Sequence, residues 1–273
     1  TYAGVPSAYE DIDLVVVREN VEGSYTGWEF AMGTVEAKEL MRFIEETTGR
    51  RVREDSGLSI KAISVFGTER IVRFAFEEAR RRGKTLVTAG HKANIMKFSD
   101  GLFLEVARRV AADEAARRVA GTHPEIAFED RIIDALCMQL VQRPERFQVI
   151  VLPNMYGDIA AELVAGLIGG TGVAPGGLFG GGADGRDLAV FEATHGTAPR
   201  LAGTNRADPV GLILSGAMLL RHVGEREAGD RLEAAVADVL AEGAHVTEDL
   251  RAAGDDRPAA GTFAFADAVI ARL

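Results

Sequence analysis

The sequence contains one cysteine, Cys137, so it cannot form an internal disulfide. A chain without disulfides is typical of a reducing compartment, and we expect a cytoplasmic protein. Its apolar runs are too short and too interrupted to span a bilayer, and no signal peptide is visible. We therefore expect no membrane partner.

Positive charge is also scarce. The 273 residues include 31 Lys and Arg against 41 Asp and Glu, which sets the net charge at −10. Such a surface argues against general binding to nucleic acid or anionic membranes. Hydrophobic residues make up 47% of the chain and charged residues 26%, as in ordinary globular proteins, and the length suffices for one large or two small domains.

The stretch from Leu152 to Glu162 contains the most informative pair of carboxylates. It follows an apolar run, residues 147–152, that predicts a buried strand, and the residues after Gly157 predict a helix. Asp158 and Glu162 would then share one helix face. Two carboxylates aimed at one spot suit a hard cation such as Mg²⁺ or Mn²⁺. A solvated acidic start of a helix explains the same pattern equally well.

Two other predicted strands deliver cationic side chains. Arg18 follows residues 12–17 and could hold a carboxylate bidentately, or simply pair with Glu19. Lys92 follows residues 85–89 and could act as a general base, although a plain surface lysine is commoner. Strand ends are where α/β proteins place ligand-binding groups.

A predicted helix and a loop carry the remaining candidates. Asp134 stands among apolar neighbours in the predicted helix 132–140, where an aspartate is usually paired or bound to a metal. A small-residue loop, 194–200, follows the predicted strand 189–193, and its amides could cradle phosphates. It is not GxGxxG, and no complete Rossmann fingerprint occurs. Asp208 is the predicted N-cap of the next helix, 210–222.

Outside these motifs the patterns predict further elements. They indicate helices at 35–46, 69–82 and 226–242, a strand at 58–65, an irregular stretch at 28–32, and a solvated helix and turn at 111–125. The glycine-rich residues 166–185 are interpreted as loops, because Leu167, Ile168 and Phe179 interrupt what would otherwise resemble a linker.

Four motifs in this order resemble one family. They are Arg18-Glu-Asn-x-Glu-Gly-x-Tyr25, His91-Lys-Ala-Asn-Ile-Met-Lys97, Asn154-x-Tyr-Gly-Asp158 and His195-Gly-Thr-Ala-Pro199. Together they resemble the metal-dependent β-decarboxylating dehydrogenases, which act on isocitrate, isopropylmalate or homoisocitrate. The segment Glu22-Gly-x-Tyr-x-Gly27 and the His195-Gly-Thr sequence are more similar to the isocitrate branch.

The resemblance implies an α/β fold of the isocitrate/isopropylmalate dehydrogenase type, with two domains and a clasp. Residues 1–22 and 65–168 would form the small, dimer-forming domain, and residues 23–64 the clasp. Residues 169–273 would form the C-terminal part of the large cofactor-binding domain. We expect the N-terminal part of that domain, with its substrate-selecting segment, to be missing.

The resemblance also implies roles for the substrate and metal residues. Arg18 would bind a substrate carboxylate, Tyr25 would protonate the enolate carbon, and Lys92 would take the hydroxyl proton. Asn94 would lie near the substrate and the nicotinamide. Three carboxylates would hold the metal, Mg²⁺ or Mn²⁺: Asp134, Asp158 and Glu162. Asp158 would also be a catalytic residue. By the same analogy, a second copy supplies Lys92, Asn94 and Asp134 to each site, so we expect a homodimer.

The implied reaction is the oxidative decarboxylation of isocitrate to 2-oxoglutarate. Alternatives are a sibling activity on isopropylmalate, homoisocitrate or tartrate, or a non-catalytic regulatory subunit. Two residues depart from the family pattern, because Glu162 replaces an aspartate and Asp208 replaces an asparagine.

The adenosine half of the cofactor, NAD or NADP, would contact His195, Gly196, Thr197, Ala198, Pro199, Arg200 and Asp208. Arg200 alone favours the 2′-phosphate of NADP, while Leu201, Ala207, Glu248 and Ala252 lack the groups of the NADP-using branch. Because Glu248 would repel a phosphate, we predict a preference for NAD. The alternative role of Arg200 is an ion pair with Glu248 or Asp208.

Overall fold

The computed structural model describes residues 1–116, 125–181, 187–252 and 254–273. Residues 117–124 of the predicted helix and turn, and the last residues of the glycine-rich stretch 166–185, lie outside this part. In the described part, no helix combines the length and the apolar character needed to cross a membrane. The chain forms two compact units, residues 14–161 and residues 1–13 with 162–273.

The first unit contains most of the regular structure. In chain order its elements are β1 (Val15–Arg18), β2 (Glu29–Phe30), α1 (Val35–Thr48), β3 (Leu58–Ser59), α2 (Val65–Arg81), β4 (Leu86–His91), α3 (Asp100–Ala116), β5 (Ala127–Ile132), α4 (Ile133–Gln142), β6 (Val149–Leu152) and α5 (Asn154–Ile168). The boundary between the units at residues 161 and 162 falls inside α5.

Four parallel strands form the sheet of this unit, in the order β1-β6-β4-β5. All four residues of β6 are buried, as the apolar run predicts. Arg18 pairs with Leu152, and His91 pairs with Ile132. Since parallel strands end at the same edge of a sheet, the residues after these pairs emerge together. The predicted α/β class is confirmed.

The region before α2 differs from the sequence prediction. Only Leu58–Ser59 of the predicted strand 58–65 is a strand, and Val65 already belongs to α2. Ser64 starts the helix early, because its Oγ accepts the N–H of Gly67 at 2.9 Å. The stretch 28–32, predicted to be irregular, contains β2, which pairs antiparallel with β3.

Helix α1 confirms the prediction for residues 35–46 and extends it by two residues. The side chain of Thr34 caps its first turn by accepting the N–H of Ala37. Gly49 ends the helix with φ of 69°, a conformation that favours glycine.

The second unit contains β7 (Pro175–Gly181), β8 (Asp187–Ala193), α6 (Val210–His222), α7 (Arg226–Glu242) and α8 (Thr262–Ile270). Strand β7 corrects the prediction of loops across residues 166–185. It pairs antiparallel with β8 over seven residues, with Leu178 opposite Val190. The predicted helices 210–222 and 226–242 are confirmed.

Residues 1–13 belong to this second unit, whereas the sequence analysis grouped them with residues 65–168. The reason is apolar burial, because Val5 packs into the core of α6, α7 and α8 with Val236 and Phe265. Tyr2 contacts the same core and donates its hydroxyl hydrogen bond to Glu233 at 2.9 Å. The division into small domain, clasp and large domain stays a prediction.

Candidate active site

Three predicted site residues meet where β1 ends and α5 begins. The guanidinium of Arg18 forms an ion pair with Asp158, and the hydroxyl of Tyr25 donates to the other oxygen of that carboxylate at 2.5 Å. Asn154 adds a further contact, because its Oδ1 accepts from Arg18 Nε at 3.1 Å and Nη2 at 2.8 Å. Asp158 thus lies between a cation and a phenol.

The charges at this cluster affect Tyr25. The hydrogen bond to Asp158 raises the pKa of the Tyr25 hydroxyl above its ordinary value. Arg18 also lies over the Tyr25 ring, with 5.0 Å between the guanidinium carbon and the ring centre. Tyr25 therefore keeps its proton at neutral pH while remaining 53% exposed.

A buried carboxylate shapes the turn between Arg18 and Tyr25. Glu19 accepts the backbone N–H groups of Val21 and Glu22, and Arg70 pairs with it at 2.9 Å. These contacts hold the chain in a fixed path from β1 to Tyr25. The alternative of an Arg18–Glu19 ion pair is therefore not what forms, since each of the two residues has another partner.

A second cluster follows β4 and β5. The ammonium of Lys92 donates to Asp134 in the first turn of α4. This hydrogen bond lowers the pKa of the Asp134 carboxyl below its ordinary value. Asn94, two residues after Lys92, is exposed. Asp134 is therefore paired, which is one of the two alternatives that the sequence left open for it.

Histidine 91 helps to fix the backbone beside Lys92. Its Nδ1 accepts the N–H of Ala93 at 3.0 Å, so the neutral ring carries its hydrogen on Nε2. Nε2 in turn donates to Asp130 at 3.3 Å. The ring is almost fully buried, and its two hydrogen bonds connect the turn after β4 to Asp130 of the neighbouring strand β5.

The three predicted metal ligands do not converge within one chain. Asp134 is held by Lys92, while Asp158, bonded to Arg18 and Tyr25, precedes the exposed Glu162 by one turn of α5. Within the described residues, no three His, Cys, Asp or Glu side chains form a group able to hold a metal ion. The carboxylates have the chemistry that Mg²⁺ or Mn²⁺ requires, but the described residues of one chain do not bring the three together.

The predicted cofactor loop follows β8 in the second unit. Residues 195–200 are all exposed, and His195 donates from Nδ1 to the carbonyl of Gly196 at 2.8 Å. Within the described part of the chain, the N–H groups of Gly196 and Thr197 have no hydrogen-bond partner. Ala198 adopts φ of 42°, which turns the backbone sharply. Free amides on a turn of small residues fit a phosphate-bearing cofactor.

Asp208 lies close to this loop. Its Oδ1 accepts the N–H of Val210 at 2.9 Å, but Pro209 occupies the N-cap position of α6, so the predicted N-cap is wrong by one residue. Its Oδ2 is buried and has no hydrogen-bond partner among the described residues. Burial raises the pKa of Asp208 to about 7, although the hydrogen bond from the Val210 N–H acts in the opposite direction.

Arg200 does not form the ion pair given as its alternative role. Within the described residues it is exposed and has no acidic partner. Glu248 pairs instead with Arg251, with 3.7 Å between Nη1 and Oε2. The cation at residue 200 therefore remains accessible.

Sequence analysis missed several groups that organise these clusters. Asn154 lies inside a quoted motif, so the motif itself was the signal for it. Lys61 and Asp100, which contact each other beneath the turn of Lys92, carry no comparable sequence signal. They are 39 residues apart in the sequence, and only the fold brings them together.

A family model described as isocitrate/isopropylmalate dehydrogenase matches residues 3–269. The chain is 42% identical over 276 residues to the mitochondrial isocitrate dehydrogenase (NAD) regulatory subunit 1 of Arabidopsis thaliana, a match covering 99% of this chain and 64% of that protein. It is 39% identical over 286 residues to the isocitrate dehydrogenase (NADP) of Archaeoglobus fulgidus, covering 99% of this chain and 68% of that protein.

Among solved structures, the isocitrate dehydrogenase of Methylococcus capsulatus is similar, with a TM-score of 0.83 and 40% identity. The match covers 100% of this chain and 70% of that one. The chain spans less than two thirds of the length of the first mitochondrial NAD-linked relatives.

Proposed function

Because this chain belongs to the isocitrate/isopropylmalate dehydrogenase family, we propose that it acts in the oxidative decarboxylation of isocitrate to 2-oxoglutarate. The observation that carries the proposal is the Arg18, Tyr25 and Asp158 cluster at the end of β1. It places a carboxylate-binding cation beside a protonated phenol. The Lys92–Asp134 pair supplies a second proton-transfer group.

The side chains divide the chemistry as follows. Arg18 can exchange Asp158 for a substrate carboxylate, since its fork of donors suits either. Lys92 takes the proton of the substrate hydroxyl as the adjacent carbon is oxidised, and a β-keto acid then loses carbon dioxide. Tyr25 donates a proton to the resulting enolate carbon. Its raised pKa keeps the hydroxyl protonated until that step.

Two bound groups complete the reaction. Asp158, Glu162 and the Asp134 of a second copy would hold Mg²⁺ or Mn²⁺, which would supply Lewis-acid polarisation of the substrate oxygen. A bound nicotinamide cofactor would supply the hydride acceptor. The free amides of Gly196 and Thr197 fit the cofactor's phosphates, and Arg200 adds an accessible cation.

A homodimer with shared sites is the assembly we propose. Exposed apolar side chains support it: Met138 and Val141 on α4, and Met155 and Ile159 on α5. Met155 and Ile159, four residues apart, lie on one face of α5, and Asp158 stands beside Ile159. A second copy that packs on these two helices would therefore lie close to Asp158, one of the proposed metal ligands.

Two other assignments are weighed against this one. The sibling substrates isopropylmalate, homoisocitrate and tartrate share the hydroxy-acid carboxylate that Arg18 would hold. A regulatory role is favoured by the likeness to the Arabidopsis regulatory subunit. Against a silent subunit stands the joint presence of Arg18, Tyr25, Lys92, Asp134 and Asp158, all engaged in contacts.

The test is Lys92→Met in the assembled enzyme, with isocitrate, Mn²⁺ and either cofactor. Loss of a positioned base should lower kcat by about 10²–10⁴-fold. Lys38→Met, at an exposed site on α1, is the control and should leave kcat unchanged. Activity that survives Lys92→Met would show that Lys92 is not the base. A wild-type assembly of this chain that turns over none of these acids would favour a regulatory role, and faster turnover of a sibling acid would correct the substrate.

A further inference from the structure

A buried ion pair lies beneath the turn that carries Lys92. The carboxylate of Asp100, in the first turn of α3, is fully buried, and the ammonium of Lys61 donates to its Oδ1. The Lys61 side chain is 15% exposed, and its Nζ lies 4.5 Å from the centre of the Tyr156 ring. A buried carboxylate requires such a counter-charge, because an isolated charge is strongly destabilised away from water.

The second oxygen of Asp100 contacts the backbone of Lys92. Oδ2 accepts the N–H of Lys92 at 2.7 Å. The carbonyl of Lys92 accepts the N–H groups of Ile95 at 3.0 Å and Met96 at 2.9 Å. Both polar groups of the Lys92 backbone are therefore fixed, and the side chain leaves this fixed point to reach Asp134.

From this geometry we propose that Lys61 and Asp100 are a positioning pair for Lys92. Asp100 fixes the backbone from which the Lys92 side chain extends, and Lys61 supplies the charge that holds Asp100 in place. The inference rests on the proposed role of Lys92 as the base. It assigns a role to Lys61 and Asp100, which have none in the proposed reaction and do not touch the substrate.

Removal of Lys61 has a specific consequence. Lys61→Met leaves the Asp100 carboxylate buried without its counter-charge, so Asp100 turns toward water. That turn breaks its bond to the Lys92 N–H, and the ammonium then leaves Asp134. A displacement of about 1 Å at a catalytic group lowers turnover by about 10²-fold.

The composition of the chain allows a direct measurement. It contains only five lysines, namely Lys38, Lys61, Lys84, Lys92 and Lys97. Reductive methylation with ¹³C-formaldehyde therefore yields few methyl resonances, and Lys92→Arg assigns the signal of Lys92. We expect this signal to be separate from that of exposed Lys38, because Lys92 is held against Asp134.

Two double variants isolate the positioning bond. Lys61→Met with Asp100→Asn removes both charges and retains an oxygen that can accept the Lys92 N–H, so the Lys92 signal should stay in place. Lys61→Met with Asp100→Leu removes both charges and the acceptor, so the signal should move to that of an exposed lysine. Neutral replacements of buried ion pairs are generally tolerated, so both proteins should fold.

The single variant Lys61→Met should also displace the signal, whereas Lys38→Met should not. If Lys61→Met fails to fold where the asparagine double variant folds, Lys61 is still shown to compensate Asp100, and the double variants decide the positioning. An unmoved Lys92 signal in both Lys61→Met and the leucine double variant would overturn the proposal.

The kinetic arm separates this inference from the proposed function. In the assembled enzyme, Lys61→Met should lower kcat by about 10²-fold. KM for isocitrate should change less than kcat, because Arg18 rather than Lys92 binds the carboxylate. If Lys92→Met leaves kcat unchanged while the methyl signals respond as expected, the base assignment fails and the positioning pair stands.

Discussion

At the scale of the residue, Asp208 shows how one buried atom changes a side chain's chemistry. Gly172 approaches it so closely that a methyl group at residue 172 would lie 2.6 Å from Asp208 Oδ2. Water is displaced from that oxygen, and burial raises the pKa to about 7. The sequence predicted Asp208 at the start of α6, one residue away from the actual N-cap, but not this raised pKa, because the approach of Gly172 is set by tertiary structure.

Asp208 should make stability depend on pH. Its pKa in the folded chain, about 7, lies above the unfolded value of 3.8, so between these values the folded chain holds a proton that the unfolded chain releases. The free energy of unfolding therefore falls as pH rises through this window, by at most about 4 kcal/mol. The contribution is complete below pH 4 and lost above pH 7.

Asp208→Asn should flatten this dependence and stabilise the chain at pH 8 relative to wild type. Urea denaturation at pH 5, 6.5 and 8 measures it, with Asp267→Asn on the exposed face of α8 as the matched control. Parallel pH profiles for Asp208→Asn and wild type would show that the carboxyl is ionised in the folded chain throughout.

The choice between NAD and NADP also belongs to the scale of the residue, at Arg200 and Glu248. We keep the proposal of an NAD preference, because Glu248 remains 63% exposed despite its pairing with Arg251 and would repel a 2′-phosphate. In the assembled enzyme, kcat/KM should be higher with NAD than with NADP. A preference for NADP by tenfold, about 1.4 kcal/mol, would contradict this and make Arg200 the phosphate ligand.

Arg200→Asp provides the matched measurement. If the cation contributes little, the ratio of kcat/KM for the two cofactors should change no more than it does in Arg206→Asp, at an exposed site of the same loop. Selective loss of NADP use in Arg200→Asp alone would assign the phosphate contact to that side chain.

At the scale of the element, sequence patterns located the strands and helices whose signal is local. Strand β7 was not predicted because four of its seven residues are glycine, and it is held by non-local contacts, namely the pairing with β8 and contacts with α6. The start of α2 was not predicted because residues 58–65 alternate like a strand, although Ser64 caps the helix. A hydrophobic pattern alone does not show which strand pairs or helix caps the tertiary structure will favour.

The junction of β1 and α5 offers a prediction about elements. A methyl group at residue 157 would lie 2.6 Å from Cγ and 3.2 Å from Cα of Arg18, and the second contact is backbone that cannot rotate away. Gly157→Ala should therefore push α5 away from β1 and destabilise the chain by about 1–3 kcal/mol, despite the better helix propensity of alanine.

Gly166 in the same helix is the control, because a methyl group there meets no atom within 4 Å. Gly166→Ala should stabilise the chain by about 0.5–1 kcal/mol. Chemical denaturation of both variants measures the contrast. Equal effects of the two substitutions would mean that the close approach of Arg18 to α5 is not rigid.

At the scale of the whole molecule, the metal site is where one chain is insufficient. The sequence named Asp134, Asp158 and Glu162 through spacing and family resemblance, and a single chain brings no three such ligands together among its described residues. A protein with exposed apolar side chains on α4 and α5 can complete the set by two-fold association, in which each copy donates the same patch.

Mixing of variants tests whether Asp134 and Asp158 belong to different copies of one site. Asp134→Asn and Asp158→Asn should each abolish tight Mn²⁺ binding, because each removes a charged oxygen ligand from every site. After the two are unfolded and refolded together in equal amounts, half of the dimers contain one copy of each. One site in such a dimer carries both substitutions and the other carries neither, so about a quarter of the wild-type Mn²⁺ sites should return.

Electron paramagnetic resonance counts the bound Mn²⁺, and Glu162→Ala, whose ligand lies on the same helix as Asp158, gives the matched comparison. Mixed with Asp134→Asn it should restore the same fraction, whereas mixed with Asp158→Asn it should restore none, since that mixture leaves every site with a substituted ligand. Recovery in neither mixture with Asp134→Asn would place all three carboxylates outside a shared site.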